Sequence, residues 1–98
     1  MILRFSASAL RDLERGLGVL DDRRAAARIA ETIERRLRTL KRTLHAGRVV
    51  PDLALDDLRE IIVPPFRMVY RIRRAEIRIV AVVHVRRDLG RVVSSRRG

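Results

Sequence analysis

The stretch LREIIVPPFRMVYRIRRAEIRIVAVVHVRRDL, residues 58–89, decides the fold of this chain. Large apolar residues recur at every second position over the ranges 66–72 and 77–85. A period of two is that of a β-strand with one buried face, so these ranges predict two strands. The preceding LREIIV ends at Pro64-Pro65 and predicts a third, antiparallel strand.

The register of the central hairpin determines which side chains share a face. Only a pairing of Ile72 with Ile77, or an even shift from it, places both apolar rows together in a core. The opposite, open face would then carry Arg67, Arg71, Arg73, Arg78, His84 and Arg86 around a patch of Val69, Val80 and Val82. In this register Arg67 and His84 are close neighbours and Pro65 lies opposite His84. The N-terminal MILRF is available as an edge strand.

Two amphipathic helices precede these strands. Leucines spaced by three, four and three positions in the range 10–20 predict a first helix, capped by Ser6 or Ser8. A second helix starts at Asp21 or Asp22 and stops at Gly47. Its apolar stripe consists of Ala26, Ala30, Ile33, Leu37, Leu40 and Leu44. The matching stripes predict an antiparallel helical hairpin with coiled-coil-like packing, followed by a connecting loop over residues 47–57.

The chain length and these elements together predict one α+β domain spanning residues 1–98. An N-terminal antiparallel helical hairpin, about residues 7–46, would pack on a small antiparallel sheet of three to four strands, about residues 58–87. Tyr70 falls in the apolar row and is predicted to lie in the core. The polar, basic tail 90–98 is predicted to fray.

Composition excludes several classes of site. The chain has no cysteine and two isolated histidines, so we expect no disulfide, no metal site and no cofactor. No stretch approaches the roughly 18 apolar residues that a membrane span requires, and the N-terminal apolar run is too short for a signal peptide. We therefore expect a cytoplasmic protein that does not enter the membrane.

Positive charge is concentrated at the C-terminal end. The formal net charge is +11, and residues 64–98 hold ten basic and two acidic side chains. Of the 23 basic residues all but Lys41 are arginine. Such a field attracts polyanions or an acidic protein partner.

Several local motifs, in this order and spacing, resemble the ParE/RelE superfamily of bacterial type II toxin-antitoxin toxins. The resemblance covers nearly the whole chain, and its ParE-like branch is favoured. The matching residues are Ser6, Ala9, Asp12 and Leu13; Gly47-Arg48; Leu58-Arg59-Glu60; Arg67, Tyr70 and Arg71; and His84 with Arg87-Asp88. The resemblance implies a compact toxin neutralised by an antitoxin whose acidic, extended C-terminal segment wraps around it. It also implies that operator DNA is bound only through the antitoxin.

The superfamily divides between two activities. ParE-like members poison DNA gyrase, whereas RelE-like members are ribosome-dependent mRNA endonucleases. A nuclease site here would use Glu60, Arg67, His84 and Arg87. Glu60, Arg67 and His84 match the glutamate, arginine and histidine of the YoeB-like pattern, whereas Arg67 and Arg87 match the phosphate-binding arginines of RelE-like members. The RelE-like lysine pair and a tyrosine after the last strand are missing. We therefore favour no catalytic residue, and for His84 a hydrogen-bonding role at the strand end is an alternative.

Arginines are the candidate contacts for an acidic antitoxin or for the target. The predicted binding residues are Arg48, Arg59, Arg67, Arg71, Arg73, Arg78, His84, Arg86 and Arg87. A guanidinium group binds carboxylates and phosphates through two parallel hydrogen bonds. The alternatives to a gyrase inhibitor are the mRNA endonuclease and a non-toxic, basic nucleic-acid-binding module.

Overall fold

A computed structural model describes residues 2–43, 47–50 and 58–86 of the chain. Seven elements follow one another in these ranges. They are β1 (Ile2–Phe5), α1 (Ala7–Gly18), α2 (Arg23–Arg42), β2 (Arg48–Val49), β3 (Leu58–Val63), β4 (Phe66–Arg73) and β5 (Glu76–His84). The fold is therefore α+β, as the periodicities predict.

The strands form one mixed sheet in the order β1-β5-β4-β3-β2. Strands β2 to β5 pair antiparallel, whereas β1 pairs parallel with β5. The prediction of an antiparallel sheet of three to four strands is wrong in this respect. A period of two is the same in parallel and antiparallel strands, so the sequence pattern does not carry strand direction. A parallel pair needs a long crossover, which here contains both helices and three strands.

The N-terminal edge strand and the third strand LREIIV are both present, as predicted. Part of the predicted loop 47–57 instead forms β2, whose two residues pair with Arg59 and Glu60 of β3. Residues 51–57 lie outside the described ranges.

Both helices begin at predicted caps. The Ser6 hydroxyl accepts a hydrogen bond from the Ala9 N–H at 3.1 Å, and the Asp22 carboxylate accepts from the N–H groups of Arg24 and Ala25. Helix α2 ends at Arg42 with Thr43 as its C-cap, before the predicted stop at Gly47. Residues 44–46 lie outside the described ranges.

The predicted coiled-coil-like packing of one helix on the other is not confirmed. Helix α1 packs mainly on β5, and α2 lies against β3. Within α1, Leu13 and Leu17 of the predicted stripe pack against the core, as predicted. Leu10 is instead 46% exposed, and Ala9 is fully buried. Both helices contribute apolar side chains to one cluster with the sheet, as the layered packing of helices on a sheet requires.

The core lies between the helices and one face of the sheet, which we call the helix face. Its largest buried side chains include Tyr70, Leu40, Met68, Ile77 and Ile79. Helix α1 lies close to β4 at Gly16. A Cβ added there would lie only 2.6 Å from the Phe66 ring. Tyr70 is 0% exposed, which confirms its predicted place in the core.

The opposite face of the sheet, which we call the distal face, contains a second buried cluster. Its members are Val50, Leu58, Val69, Val80, Ala81 and Val83. The valine patch predicted to be open is therefore buried: Val69 is 0%, Val80 7% and Val82 4% exposed. Across the described ranges we find no helix long and apolar enough to cross a membrane.

Candidate functional site

A β-bulge in the central hairpin decides which side chains meet. Ile72 pairs with Ile77 and Tyr70 with Ile79, as predicted, but Val69 then pairs with Ala81. One residue, Val80, is thus added on the β5 side, and alternation along β5 is inverted beyond it. The distal cluster accordingly includes both Val80 and Ala81, while Val82 joins the core of the helix face.

The bulge separates Arg67 from His84. Arg67 pairs with Val83 on the distal face, whereas His84 pairs with Phe66, whose side chain belongs to the helix face. Pro65 lies next to Val85, whose N–H donates to the Pro65 carbonyl at 3.0 Å. The predicted pairing of Pro65 with His84 is therefore off by one residue, and Arg67 and His84 do not share a face as predicted. A count of alternating positions assumes a regular ladder and misses an inserted residue.

Helix α1 contributes a contact beside this bulge. The Asp12 carboxylate accepts a 3.3 Å hydrogen bond from the backbone N–H of Val82. Asp12 lies on the half-buried side of α1, one turn after Ala9. Its carboxylate thus ties α1 to β5 where the ladder is irregular, a structural role for a residue that the sequence marked only through the family pattern.

Glu60 and Arg67 form a buried ion pair on the distal face. Nε of Arg67 donates to the Glu60 carboxylate at 2.8 Å, and the residues are 6% and 1% exposed. They are diagonal neighbours, since Glu60 pairs with Val69 and Arg67 pairs with Ile62. Removing two charges from water is costly unless they satisfy each other, so this contact explains why both residues are tolerated there. Arg67 is not an exposed cation, contrary to its predicted place on an open face.

Tyr70 and Arg59 hold the backbone at Gly47. The Tyr70 hydroxyl accepts a hydrogen bond from the Gly47 N–H at 2.9 Å, and Nη1 of Arg59 donates to the Gly47 carbonyl at 3.1 Å. Burial raises the pKa of Tyr70, while the Gly47 hydrogen bond and the Arg59 charge oppose part of that rise. Arg59 is half-buried and on the helix face, so its observed contact is structural.

The remaining predicted residues that the structure describes lie in three places. Arg73 and Arg78 are exposed and Arg71 is half-buried, all on the distal face. Arg86 and His84 are exposed at the end of β5, where the Arg86 N–H donates to Nδ1 of His84 at 3.3 Å. Arg48 belongs to β2 by its backbone, and Arg87 lies outside the described ranges.

The arrangement does not bring a nuclease site together from the described residues. Glu60 and Arg67 are buried against each other, and His84 is exposed on the other face of the sheet. A metal centre is not assembled either, since within residues 2–43, 47–50 and 58–86 no three His, Cys, Asp or Glu side chains are grouped to hold an ion. What this chain exposes is a set of guanidinium groups, which can bind carboxylates or phosphates.

Comparison with known proteins agrees with the fold. The family described as the ParE toxin of the type II toxin-antitoxin system parDE matches residues 3–89. The sequence matches no curated protein.

Two solved structures share the arrangement of helices and strands. A structure titled "Chromosomal ParDE TA system from P. aeruginosa" is 22% identical with a TM-score of 0.69, covering 87% of this chain and 96% of its own. The "YoeB/ParE toxin from Agrobacterium tumefaciens" is 24% identical with a TM-score of 0.63, covering 86% of this chain and 98% of its own. At these identities the two structures establish a shared fold.

Proposed function

The chain belongs to the ParE toxin family of type II toxin-antitoxin systems, and we propose that it inhibits DNA gyrase and is neutralised by a cognate antitoxin. The gyrase target is the activity that the resemblance to the ParE-like branch implies. As such an inhibitor, the protein binds its target and performs no chemistry of its own.

The separation of Glu60 and Arg67 from His84 carries the choice against a nuclease. Cleavage of RNA by general acid-base catalysis requires a base, a phosphate-binding cation and an acid around one phosphate. Here the Arg67 guanidinium is 2.8 Å from Glu60 and buried, so neither group reaches a substrate without breaking the pair. The sheet itself stands between that pair and His84. This geometry favours a protein that inhibits its target by binding to it, without cleaving RNA.

Neutralisation would use exposed arginines and an acidic antitoxin segment. Of the predicted contacts, Arg73, Arg78 and Arg86 are exposed, and we propose them as partners for antitoxin carboxylates. Because Val69, Val80 and Val82 are buried, they offer an antitoxin segment no apolar surface beside the arginines. Charge then contributes more of the affinity, which should fall as salt screens the contact.

The direct test is a supercoiling reaction with purified gyrase, relaxed plasmid and ATP, titrated with the folded protein. We expect lost supercoiling together with accumulated cleaved plasmid. Removal of ATP separates an effect on strand passage from trapping of the cleaved complex.

A truncation after Leu89 that unfolds at the same temperature as the full chain should inhibit less, because the resemblance ties the C-terminal end of the ParE-like branch to toxicity.

A matched variant separates the length of the tail from its charge. Changing Arg91, Arg96 and Arg97 to glutamine keeps all 98 residues and removes three charges. If folded protein leaves gyrase unaffected at every concentration, the gyrase proposal fails. Ribosome-dependent mRNA cleavage would then be measured with variants of Arg67, His84 and Arg87.

A further inference from the structure

Arginines from three adjacent strands stand side by side on the distal face. The register places Arg4 of β1 beside Arg78 of β5, and Arg78 opposite Arg71 of β4. Arg73 lies two positions further along β4, so its side chain leaves the sheet on the same face. We call Arg4, Arg71, Arg73 and Arg78 the arginine row.

Three members of the row, Arg4, Arg73 and Arg78, hold their positive charges at exposed positions. Like charges directly opposed across strands destabilise a sheet. Glu76 approaches Nε of Arg4 at 3.7 Å, but the two side chains are 36% and 61% exposed, and such surface pairs contribute little. Within the described residues, the exposed arginines Arg4, Arg73 and Arg78 thus set three positive charges beside the Glu76 carboxylate. An anion from outside the chain would relieve their repulsion.

We propose that the arginine row binds the phosphodiester backbone of DNA without regard to base sequence. Guanidinium groups match phosphate oxygens in geometry as well as charge. Duplex DNA presents one negative charge per about 1.7 Å of its axis, so several phosphates fall within reach of the row. This contact is made by the toxin itself and is distinct from operator recognition through an antitoxin.

The positions of the aromatic side chains restrict the proposed contact to the phosphodiester backbone of DNA. The chain has two phenylalanines, one tyrosine and no tryptophan. Phe66 and Tyr70 are buried in the core of the helix face, and Phe5 packs against it. No aromatic side chain is therefore available on the distal face to stack on bases, which single-strand binding would require.

Phosphate suits this surface better than a partner protein that binds through an apolar interface does. Protein interfaces usually contain a desolvated apolar centre. The apolar residues of the distal face beside the row, Val69, Ala81 and Val83, are already buried within the chain. Ile2 is 57% exposed at the row's edge, which is little apolar surface for a protein interface. An acidic antitoxin segment, as proposed above, would compete for the same guanidinium groups.

The test measures binding of a fluorescent 20-base-pair duplex by anisotropy at several salt concentrations. The row variant carries Arg4→Gln, Arg73→Gln and Arg78→Gln. The control carries Arg23→Gln, Arg24→Gln and Arg28→Gln, three exposed arginines in the first turns of α2. Both variants remove three charges from a chain of net charge +11, so they differ in where the charge is lost. Melting temperatures establish that both are folded.

We expect the row variant to bind at least about tenfold more weakly than wild type, with the slope of log K against log salt reduced by about 3. The control should stay within about threefold of wild type. Equal loss in both variants would mean that net charge alone attracts DNA, and the proposal fails. Should the row variant not fold, Arg78→Gln alone is expected to reduce the slope by about 1.

A second probe distinguishes the two kinds of anion. If the row variant loses binding to a glutamate-rich peptide but keeps its affinity for duplex, the row is a peptide site and the proposal is overturned. Because this assay contains no gyrase, it gives the same answer whether or not the protein inhibits that enzyme. A failure of the gyrase proposal and a failure of the DNA contact are therefore separately visible.

Discussion

Glu60 and Arg67 face each other across β3 and β4, with Nε of Arg67 2.8 Å from the Glu60 carboxylate and both residues buried. In an exposed site the same two residues could serve as a base and a phosphate-binding cation. Buried together, they neutralise one another and hold two neighbouring strands. Their position therefore argues for a structural role.

Removing one partner of this pair should be far more harmful than removing both. Glu60→Gln leaves the Arg67 charge buried without its carboxylate, and we expect it to lower the free energy of unfolding by about 3–5 kcal/mol. The double variant Glu60→Leu with Arg67→Met should recover a large part of that loss. Urea unfolding measures all three proteins, and a single variant as stable as wild type would refute this account.

The Tyr70 hydroxyl and its ring can be tested separately. Tyr70→Phe removes the acceptor for the Gly47 N–H and should cost about 1–2 kcal/mol of stability. Tyr70→Ala also empties part of the core and should cost about 3–5 kcal/mol. Thermal and urea unfolding distinguish these effects. Lost activity at an unchanged melting temperature would contradict the core placement.

The raised pKa of Tyr70 predicts a loss of stability in alkali. Burial is its main cause, and the folded pKa lies above the ordinary value of 10.0. The neutral phenol is therefore favoured in the folded state, so its contribution is complete below pH 10 and is lost as pH rises through the folded pKa. Wild type should lose stability faster than Tyr70→Phe above about pH 10. Parallel pH profiles of the two proteins would contradict this assignment.

Gly47 should not tolerate even a methyl group. An added Cβ would overlap the Tyr70 hydroxyl and lie 2.7 Å from the Glu60 carbonyl oxygen. We expect Gly47→Ala to lower the melting temperature by several degrees, with partial recovery when Tyr70→Phe is added. Gly18→Ala is the matched control, because nothing lies within 4 Å of a Cβ there. Equal melting temperatures for the two alanine variants would disprove the steric explanation.

Asp12 of α1 should stabilise the sheet through its hydrogen bond with β5. Asp12→Ala removes the acceptor for the Val82 N–H and should cost about 1–2 kcal/mol. Asp12→Asn keeps a carbonyl oxygen at the same place and should cost less. Hydrogen exchange at Val82 provides a local readout, since its protection should fall in the alanine variant. Unchanged protection would show that the ladder holds without this contact.

Much of the fold was predictable because it depends on local patterns. Alternation identified β3, β4 and β5, parity placed Ile72 opposite Ile77, and Ser6 and Asp22 cap the helices as short polar residues do. The family also followed from motifs distributed along the chain. The predicted binding residues Arg73, Arg78 and Arg86 are exposed, though their role in antitoxin binding stays a prediction.

Only the tertiary structure showed the β-bulge, in which Val80 is the extra residue of β5. Its insertion moved His84 to the other face from Arg67, and a period-two pattern has no means of showing an irregular ladder. Strand direction was also not predictable, since the side chains of β1, including Arg4, alternate in the same way whether β1 runs parallel or antiparallel to β5. Local sequence determined which residues are strand or helix, and long-range contacts determined which of them meet.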